Sequence, residues 1–187
     1  MNKALVFALI AAATVVSGCA SSAREKAKRE ANPAPCPNVL VLKDAARAVE
    51  FVGDEATLEN VAYTAEVTNV SLACRYFAAD PIDISVEVDL AFGRGPKADS
   101  SQKNFTYFVA VTRRNQEVIE KAEYIVPVKF GDKNDVKLVE EKIKQILIPR
   151  ANEQTSGLNF EVVVGLALTP SQARFNRSGK SLKFPEL

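Results

Sequence analysis

Three cysteines are the residues of this chain whose type and spacing could support specific chemistry. Cys19 follows the apolar run Ala4–Val16 in the string TVVSGCASS, and Cys36 and Cys74 lie further along the chain. A thiol directly after such a run is a candidate for acylation, and the other two thiols are candidates for a disulfide bond. Both assignments depend on the compartment, which the amino-terminal residues predict.

The first 18 residues have the features of a secretory signal peptide. Lys3 is basic, and the apolar run after it is shorter than the roughly 20 residues that span a bilayer. The run ends in Val16-Ser17-Gly18-Cys19, which resembles the lipobox of bacterial lipoproteins. In that family the signal is cleaved before the cysteine, which carries the lipid. The resemblance predicts lipidation of Cys19; the alternative is a secreted protein with a stray cysteine.

The residue after the lipobox bears on the membrane. In well-studied Gram-negative systems an aspartate there retains a lipoprotein at the inner membrane, and this chain has Ala20. The resemblance therefore implies the outer membrane, with the protein on its periplasmic side and the inner membrane as the alternative. Stable anchoring takes at least two acyl chains, and the family carries a diacylglyceryl group and usually an amide-linked chain.

Lipidation of Cys19 leaves an even pair of thiols. In an exported, oxidising compartment we expect Cys36 and Cys74 to form a disulfide. The closed loop would span just under forty residues, which corresponds to roughly 3–4 kcal/mol of stabilisation in the chain-entropy model. Two buried free thiols are the alternative.

The composition excludes several classes of function. The chain has no histidine and no tryptophan, so the commonest general base and the commonest zinc ligand are missing. If the two remaining thiols are paired, thiolate metal sites are missing too. Loss of Lys3 with the signal reduces the 24 basic residues to 23, against 23 acidic residues. This balance gives no electrostatic reason to bind nucleic acid, and we predict no catalytic residue, metal or cofactor.

Two groups of charged residues are candidate binding sites. Three carboxylates share one face of a predicted strand and could attract Ca²⁺, although solvated strand faces commonly look like this: Asp83, Glu87 and Asp89. The end of the chain, ARFNRSGKSLKFPEL, has basic residues at every third position and then an aromatic residue. We interpret five residues there as a possible partner-binding site, against the alternative of a frayed terminus: Arg174, Arg177, Lys180, Lys183 and Phe184.

Aromatic residues and one loop have two interpretations each. Phe105, Tyr107 and Phe108 could form an exposed face for a partner, or could alternate between the core and a second covered face. The segment from Gly93 through KADSSQKN lacks the following helix that a phosphate-binding loop needs. We therefore expect a flexible connection between strands.

The elements that must position these residues are mostly strands. Residues 19–35 hold no large apolar side chain and end in Pro33 and Pro35, which predicts a flexible tether. In IDISVEVDLAF, residues 82–92, apolar and polar residues alternate strictly, which predicts an antiparallel strand with one wet face. The same pattern predicts strands at 38–43, 46–52, 60–70, 105–113, 123–130 and 158–169.

Three local signals refine this assignment. Arg114–Glu117 predicts a hairpin, and Pro127 predicts an edge strand or a bulge because it lacks a donor. The apolar residues of 135–149 fit either one face of a helix or short strands. We favour the second interpretation, a strand pair with irregular linkage. Thr169, Pro170 and Gln172 predict a capped helix over about 170–176.

Seven or eight short strands and no long helix predict an all-β, mainly antiparallel fold. We expect an immunoglobulin-like two-sheet sandwich with a short C-terminal helix. The predicted organisation is a signal peptide at 1–18, a lipidated tether at 19–35, a sandwich domain at 36–177 and a tail at 178–187. A disulfide at Cys36 would pin the amino-terminal edge to the sheet, unlike the antibody bridge.

Three stretches besides the lipobox carry a resemblance. They look like parts of a family of Gram-negative lipoproteins without an assigned activity. The stretches are CPNVLVLKDAARAVEF at 36–51, ACRY at 73–76 and VVVGLALTPSQARFNR at 162–177. The resemblance implies the anchor, the cysteine pair and the β-rich body. We therefore expect a non-enzymatic interaction or structural module that binds another envelope protein. The alternatives are a carboxylate-based glycan hydrolase or ligand-binding domain, and a calcium-dependent adhesin-like module.

Overall fold

The alternating segment that begins at Ile82 lies at the centre of the fold in the computed structural model of the protein, which describes residues 35–114, 117–131 and 135–180. Its apolar side chains at every second position, from Ile82 to Phe92, are at most 1% exposed. The polar residues between them are half-buried or exposed. The period-two pattern thus buries one face of the strand, as the sequence predicts.

Eight strands and one helix are found in the described residues. The strands are β1 (Asn38–Val41), β2 (Arg47–Phe51), β3 (Val61–Arg75), β4 (Ile82–Arg94), β5 (Gln102–Arg113), β6 (Val118–Lys129), β7 (Val136–Ile148) and β8 (Phe160–Leu166). The helix is α1 (Pro170–Arg177). Short 3-10 turns precede three of the strands: Lys43–Ala45 before β2, Leu58–Asn60 before β3 and Gly157–Asn159 before β8.

The strands form two four-stranded sheets. Sheet 1 has the order β1-β8-β5-β6, and sheet 2 has the order β2-β3-β4-β7. Only β1 and β8 pair in parallel among these neighbours; the other pairs are antiparallel. The predicted all-β, mainly antiparallel two-sheet sandwich with a short C-terminal helix is confirmed. Sheet 2 contains three consecutive strands, β2 to β4, whereas a constant-type immunoglobulin sheet joins strands A, B, E and D.

The core lies between the inner faces of the two sheets. Sheet 2 contributes the inward residues of β3 and β4, and sheet 1 contributes those of β5, β6 and β8. The largest side chains in this core are at most 2% exposed: Tyr63, Tyr107, Phe92, Ile82, Ile84 and Leu90. Burial of each apolar side chain of this size contributes roughly 1.5–3 kcal/mol, so these layers supply the main stabilisation.

β7 runs continuously from Val136 to Ile148, so the prediction of a strand pair with irregular linkage over residues 135–149 is wrong. The register between β4 and β7 shifts between Ile84 and Val86, which pair with Ile146 and Ile143. The extra residue on β7 is a β-bulge, which moves the inward positions from odd to even numbers. Half-buried Val139, Ile143 and Ile146 are therefore three or four residues apart, the spacing that resembles a helical stripe.

Helix α1 begins as the sequence predicts. The Thr169 hydroxyl accepts a hydrogen bond from the Gln172 N–H, and the Gln172 side chain accepts one from the Thr169 N–H, which completes a capping box. Pro170 occupies the first helical position, where its missing donor costs nothing. The helix ends at Arg177, one residue beyond the predicted end.

The connection from β4 to β5 is bound to the body of the domain. The Gly95 N–H donates to the Ala62 carbonyl at 2.7 Å. A Cβ at Gly95 would lie 2.3 Å from the Val61 carbonyl oxygen, so the close approach requires glycine. The Tyr63 hydroxyl donates to Asp99 Oδ1 at 2.8 Å and accepts from the Ser100 N–H at 2.9 Å. A buried tyrosine thus holds the segment that the sequence predicts as a flexible connection.

Candidate interaction surface

The predicted lipidation site lies outside the described residues. Cys19 and residues 1–34, which include the predicted signal peptide and nearly all of the tether, belong to the part of the chain that is not described. The second cysteine prediction is confirmed. Cys36 and Cys74 form a disulfide across 38 residues of sequence, with their Cα atoms 5.6 Å apart. Cys74 lies within β3, near its end, rather than after the strand.

Hydrogen bonds around Tyr76 hold the entry of the chain into the domain. The Tyr76 hydroxyl donates to the Pro35 carbonyl at 2.7 Å and accepts from the Gly157 N–H at 2.8 Å. The Arg150 guanidinium lies over the Tyr76 ring, 4.6 Å from its centroid, and donates to the carbonyls of Asp80 and Ala78. Together with the disulfide, these contacts fix residues 35 and 36 against the end of sheet 2.

The predicted partner-binding residues divide into two groups. Arg174, Arg177 and Lys180 are exposed in or just after α1, and Arg177 Nε lies 3.4 Å from Asp44 Oδ2. Lys183 and Phe184 lie outside the described residues. The structure thus brings the described basic residues to one end of a docked helix.

The carboxylates on the outer face of β4 bond neighbouring polar side chains. Asp83 lies 3.3 Å from Arg75 Nη2, and Asp89 accepts from the Asn69 amide at 3.1 Å. Glu87 lies 3.1 Å from Lys142 Nζ. The hydrogen bonds that Lys142 donates to Glu140 and then to Glu87 raise the pKa of Lys142 to about 12. Within the described ranges, no three carboxylate or thiol groups are arranged to hold a metal ion.

Two outer strands, one from each sheet, run along the same side of the sandwich. β6 is the outer strand of sheet 1 and β7 is the outer strand of sheet 2. Pro127 lies in β6, so the prediction of an edge strand is confirmed, and β6 pairs with β5 as the predicted hairpin. Of the eleven exposed large apolar side chains in the described residues, six lie on these strands: Val118, Ile119, Ile125, Val136, Leu138 and Leu147. We call this side of the domain the open side.

A cleft of about 370 Å³ separates β6 from β7 on the open side. Its floor is apolar and comes from β5, and its two walls are the facing edges. The lining residues are Val109, Val111, Glu120, Ala122, Tyr124, Gln145, Ile146 and Leu147. The cleft therefore offers an apolar floor with a carboxylate and an amide at its walls.

Two stacked phenols lie between β5 and β6 on the inner face next to this cleft. The rings of Tyr107 and Tyr124 are 5.2 Å apart and nearly parallel. Tyr107 is 1% exposed, and its hydroxyl has no hydrogen-bond partner among the described residues. Burial raises the pKa of Tyr107, and the charge of Glu141 and the Tyr124 phenol raise it further. Both phenols are protonated at neutral pH, since burial also raises the pKa of Tyr124.

The aromatic residues of β5 alternate between two faces. Tyr107 is buried in the core, Phe105 is half-buried against the core, and Phe108 is half-buried on the other face beneath Lys121 Nζ, 4.7 Å from the ring centroid. The interpretation of these residues as alternating between the core and a second face is confirmed. Only Pro127 marked the open side in the sequence, because proline is tolerated where no neighbouring strand needs its donor.

Among the described residues, no helix is both long enough and apolar enough to cross a membrane. Comparison of the chain with protein-family models, with curated proteins and with solved structures finds no match.

Proposed function

We propose that the protein is a lipid-anchored envelope protein on the periplasmic side of the outer membrane, where it acts as a non-enzymatic interaction module. The open side is the observation that carries the interaction role, and the residues around Cys19 support the anchor. The outer strands β6 and β7 face the same cleft there, and Leu147 at the wall of this cleft is 54% exposed. An apolar cleft between two outer strands that have no further neighbour among the described residues is a surface that a partner can cover.

The partner is an envelope protein that adds an extended segment to β7. A free strand edge presents unpaired N–H and C=O groups, and a partner strand satisfies them while its alternate side chains enter neighbouring recesses. β7 suits this role better than β6, since Pro127 removes one donor from β6. A partner strand beside β7 would place alternate apolar side chains in the cleft, next to Ile146 and Leu147.

The chemistry of the cleft favours binding over catalysis. The stacked phenols hold their protons at neutral pH, so neither serves as a general base there. The carboxylates of β4 lie on the outer face of sheet 2 and bond Arg75, Asn69 and Lys142. A glycosidase requires two carboxylates that flank one bond, and the open side supports an apolar contact instead.

The anchor is tested through Cys19. Metabolic labelling with palmitate should mark the protein, and Cys19→Ala should abolish the label and release the protein from the membrane. Ala20→Asp should move the labelled protein from the outer-membrane to the inner-membrane fraction. A Cys19→Ala variant that stays on the membrane would contradict the lipid anchor.

The interaction surface is tested by photocrosslinking in intact cells. A photoreactive phenylalanine analogue at Leu147 should yield one dominant crosslinked protein. The matched control is the same analogue at Leu158, which is comparably exposed at 46% but lies on the turn before β8. Equal crosslinking at both positions, or crosslinking at Leu158 alone, would rule out the open side as the interface.

A further inference from the structure

A second apolar recess lies on the outer face of sheet 2. It has a volume of about 350 Å³ and crosses all four strands of the sheet. We call it the sheet groove, and its outward-facing lining includes Arg47, Val49, Thr64, Ala91, Gly93 and Val136. The other half of the same face carries the charged groups Asp83, Glu87 and Lys142. Glu66 also lines the groove, 2.8 Å from Arg47 Nη2, so the groove is a mainly apolar surface that contains one ion pair.

Small residues form the floor of the sheet groove. Ala91 and Gly93 are neighbours on β4, and a Cβ at Gly93 would lie 2.3 Å from Thr64 Oγ1. Gly93 is opposite Val136 and Ala91 is opposite Leu138 on β7. Val136 and Leu138 are 61% and 72% exposed. A low floor beside exposed aliphatic side chains suits a bulky apolar side chain laid across the strands.

Helix α1 brings the end of the described chain to this groove. The Phe175 ring packs edge-on against Phe51, with centroids 5.4 Å apart. The Asn176 amide donates to the carbonyls of Asp44 at 2.8 Å and Arg47 at 2.7 Å. Arg47 itself lines the groove. The helix therefore docks at the β2 edge, where the groove begins.

We propose that the segment Ser181–Leu187 of the same chain occupies the sheet groove, with Phe184 as the main anchor. The segment follows Lys180, the last described residue, and reads SLKFPEL. Leu182 and Phe184 are two residues apart, so an extended segment places both on one side, with Lys183 on the other. An aromatic ring and an aliphatic side chain complement the low floor and the exposed residues of β7.

The length of the segment permits this arrangement. Seven extended residues span up to about 25 Å. Four neighbouring strands about 4.8 Å apart extend over roughly 14 Å from the first to the last. Gly179, two residues before the segment, has a φ of +78°, which permits a change of chain direction there. In this arrangement Phe184 binds within the chain, and the free edge of β7 stays available for the partner.

Tryptophan fluorescence tests the proposal, because the chain contains no tryptophan. Phe184→Trp in the full chain creates a single reporter. Its emission maximum should lie at shorter wavelength than in the urea-unfolded protein, and acrylamide should quench it several-fold less efficiently. Ala91→Glu in this background should shift the emission to the unfolded value. The matched control is Ala73→Glu, the same change on the same face outside the groove, which should leave the emission unshifted.

The remaining outcomes also decide the matter. Circular dichroism confirms that each variant is folded; if Ala91→Glu is not, Leu138→Glu at the exposed rim takes its place. A folded Phe184→Trp variant that emits as the unfolded chain does would overturn the proposal, as would emission that neither groove variant changes. Emission that depends on protein concentration would also overturn it, since it would assign the groove to a second copy.

Discussion

The Tyr76 hydroxyl donates a hydrogen bond to the backbone carbonyl of Pro35, 41 residues earlier in the chain, at 2.7 Å. The same oxygen accepts from the Gly157 N–H, so one side chain connects three segments that are distant in sequence. These bonds hold the start of the described chain against the domain.

Tyr76→Phe should destabilise the domain by about 1 kcal/mol or somewhat more, because the Gly157 N–H and the Pro35 carbonyl both lose their partner. Urea unfolding measures the loss. Tyr124→Phe is the matched control, since the structure shows no hydrogen bond from that hydroxyl within the described ranges. An equal effect of both substitutions would contradict the role of Tyr76.

Replacement of both disulfide cysteines should cost roughly 3–4 kcal/mol, as expected for a loop closed across 38 residues. The comparison is the unfolding free energy of Cys36→Ser/Cys74→Ser against that of the parent chain. Cys19→Ser is the control and should leave the unfolding of the domain unchanged. A double variant as stable as the parent would show that the bridge contributes nothing.

The same substitution should have opposite effects at two buried tyrosines. Tyr63 and Tyr107 are 2% and 1% exposed, but only Tyr63 bonds Asp99 and Ser100. Tyr63→Phe should destabilise by about 1–3 kcal/mol, since it removes these bonds. Tyr107→Phe should be neutral or stabilise by up to about 1 kcal/mol, since it removes a buried hydroxyl that has no partner. Urea midpoints of the two variants measure both effects. A large loss of stability in Tyr107→Phe would show that the Tyr107 hydroxyl has an unrecognised hydrogen-bond partner.

Stability should fall in alkaline solution. Burial raises the pKa values of Tyr63, Tyr107 and Tyr124, so the folded chain keeps protons that the unfolded chain releases above pH about 10. The contribution of the three protonated tyrosines to the unfolding free energy is therefore complete below that pH. It decreases as the pH rises through and beyond that value.

Urea unfolding at a series of pH values from about 8 to 11 measures this decrease across the ordinary tyrosine range. Of the three tyrosines, Tyr107 has the pKa that is raised furthest. Tyr107→Phe should therefore reduce the dependence of the unfolding free energy on pH the most. A parent curve that is flat across this range would refute the expectation.

Local sequence patterns determine most of the strands and the helix. Strict alternation from Ile82 to Phe92 fixes β4, because only one face of a strand can be buried at that period. Thr169, Pro170 and Gln172 fix the start of α1, because capping involves residues within one turn. The count of thiols predicts the pairing of Cys36 with Cys74 if Cys19 is lipidated, but only the fold brings their Cα atoms to 5.6 Å.

Tertiary structure decides what depends on partners distant in sequence. The bulge that shifts β7 against β4 disguises a continuous strand, because bulges form between strands and leave no fixed residue signature. The open side exists because β6 and β7 end different sheets on the same side of the sandwich. The sequence alone therefore determines most of the strands and which face each of these strands buries, but not the continuity of β7. Only the assembly of the two sheets decides which edges and grooves remain free for a partner, since that depends on strand order.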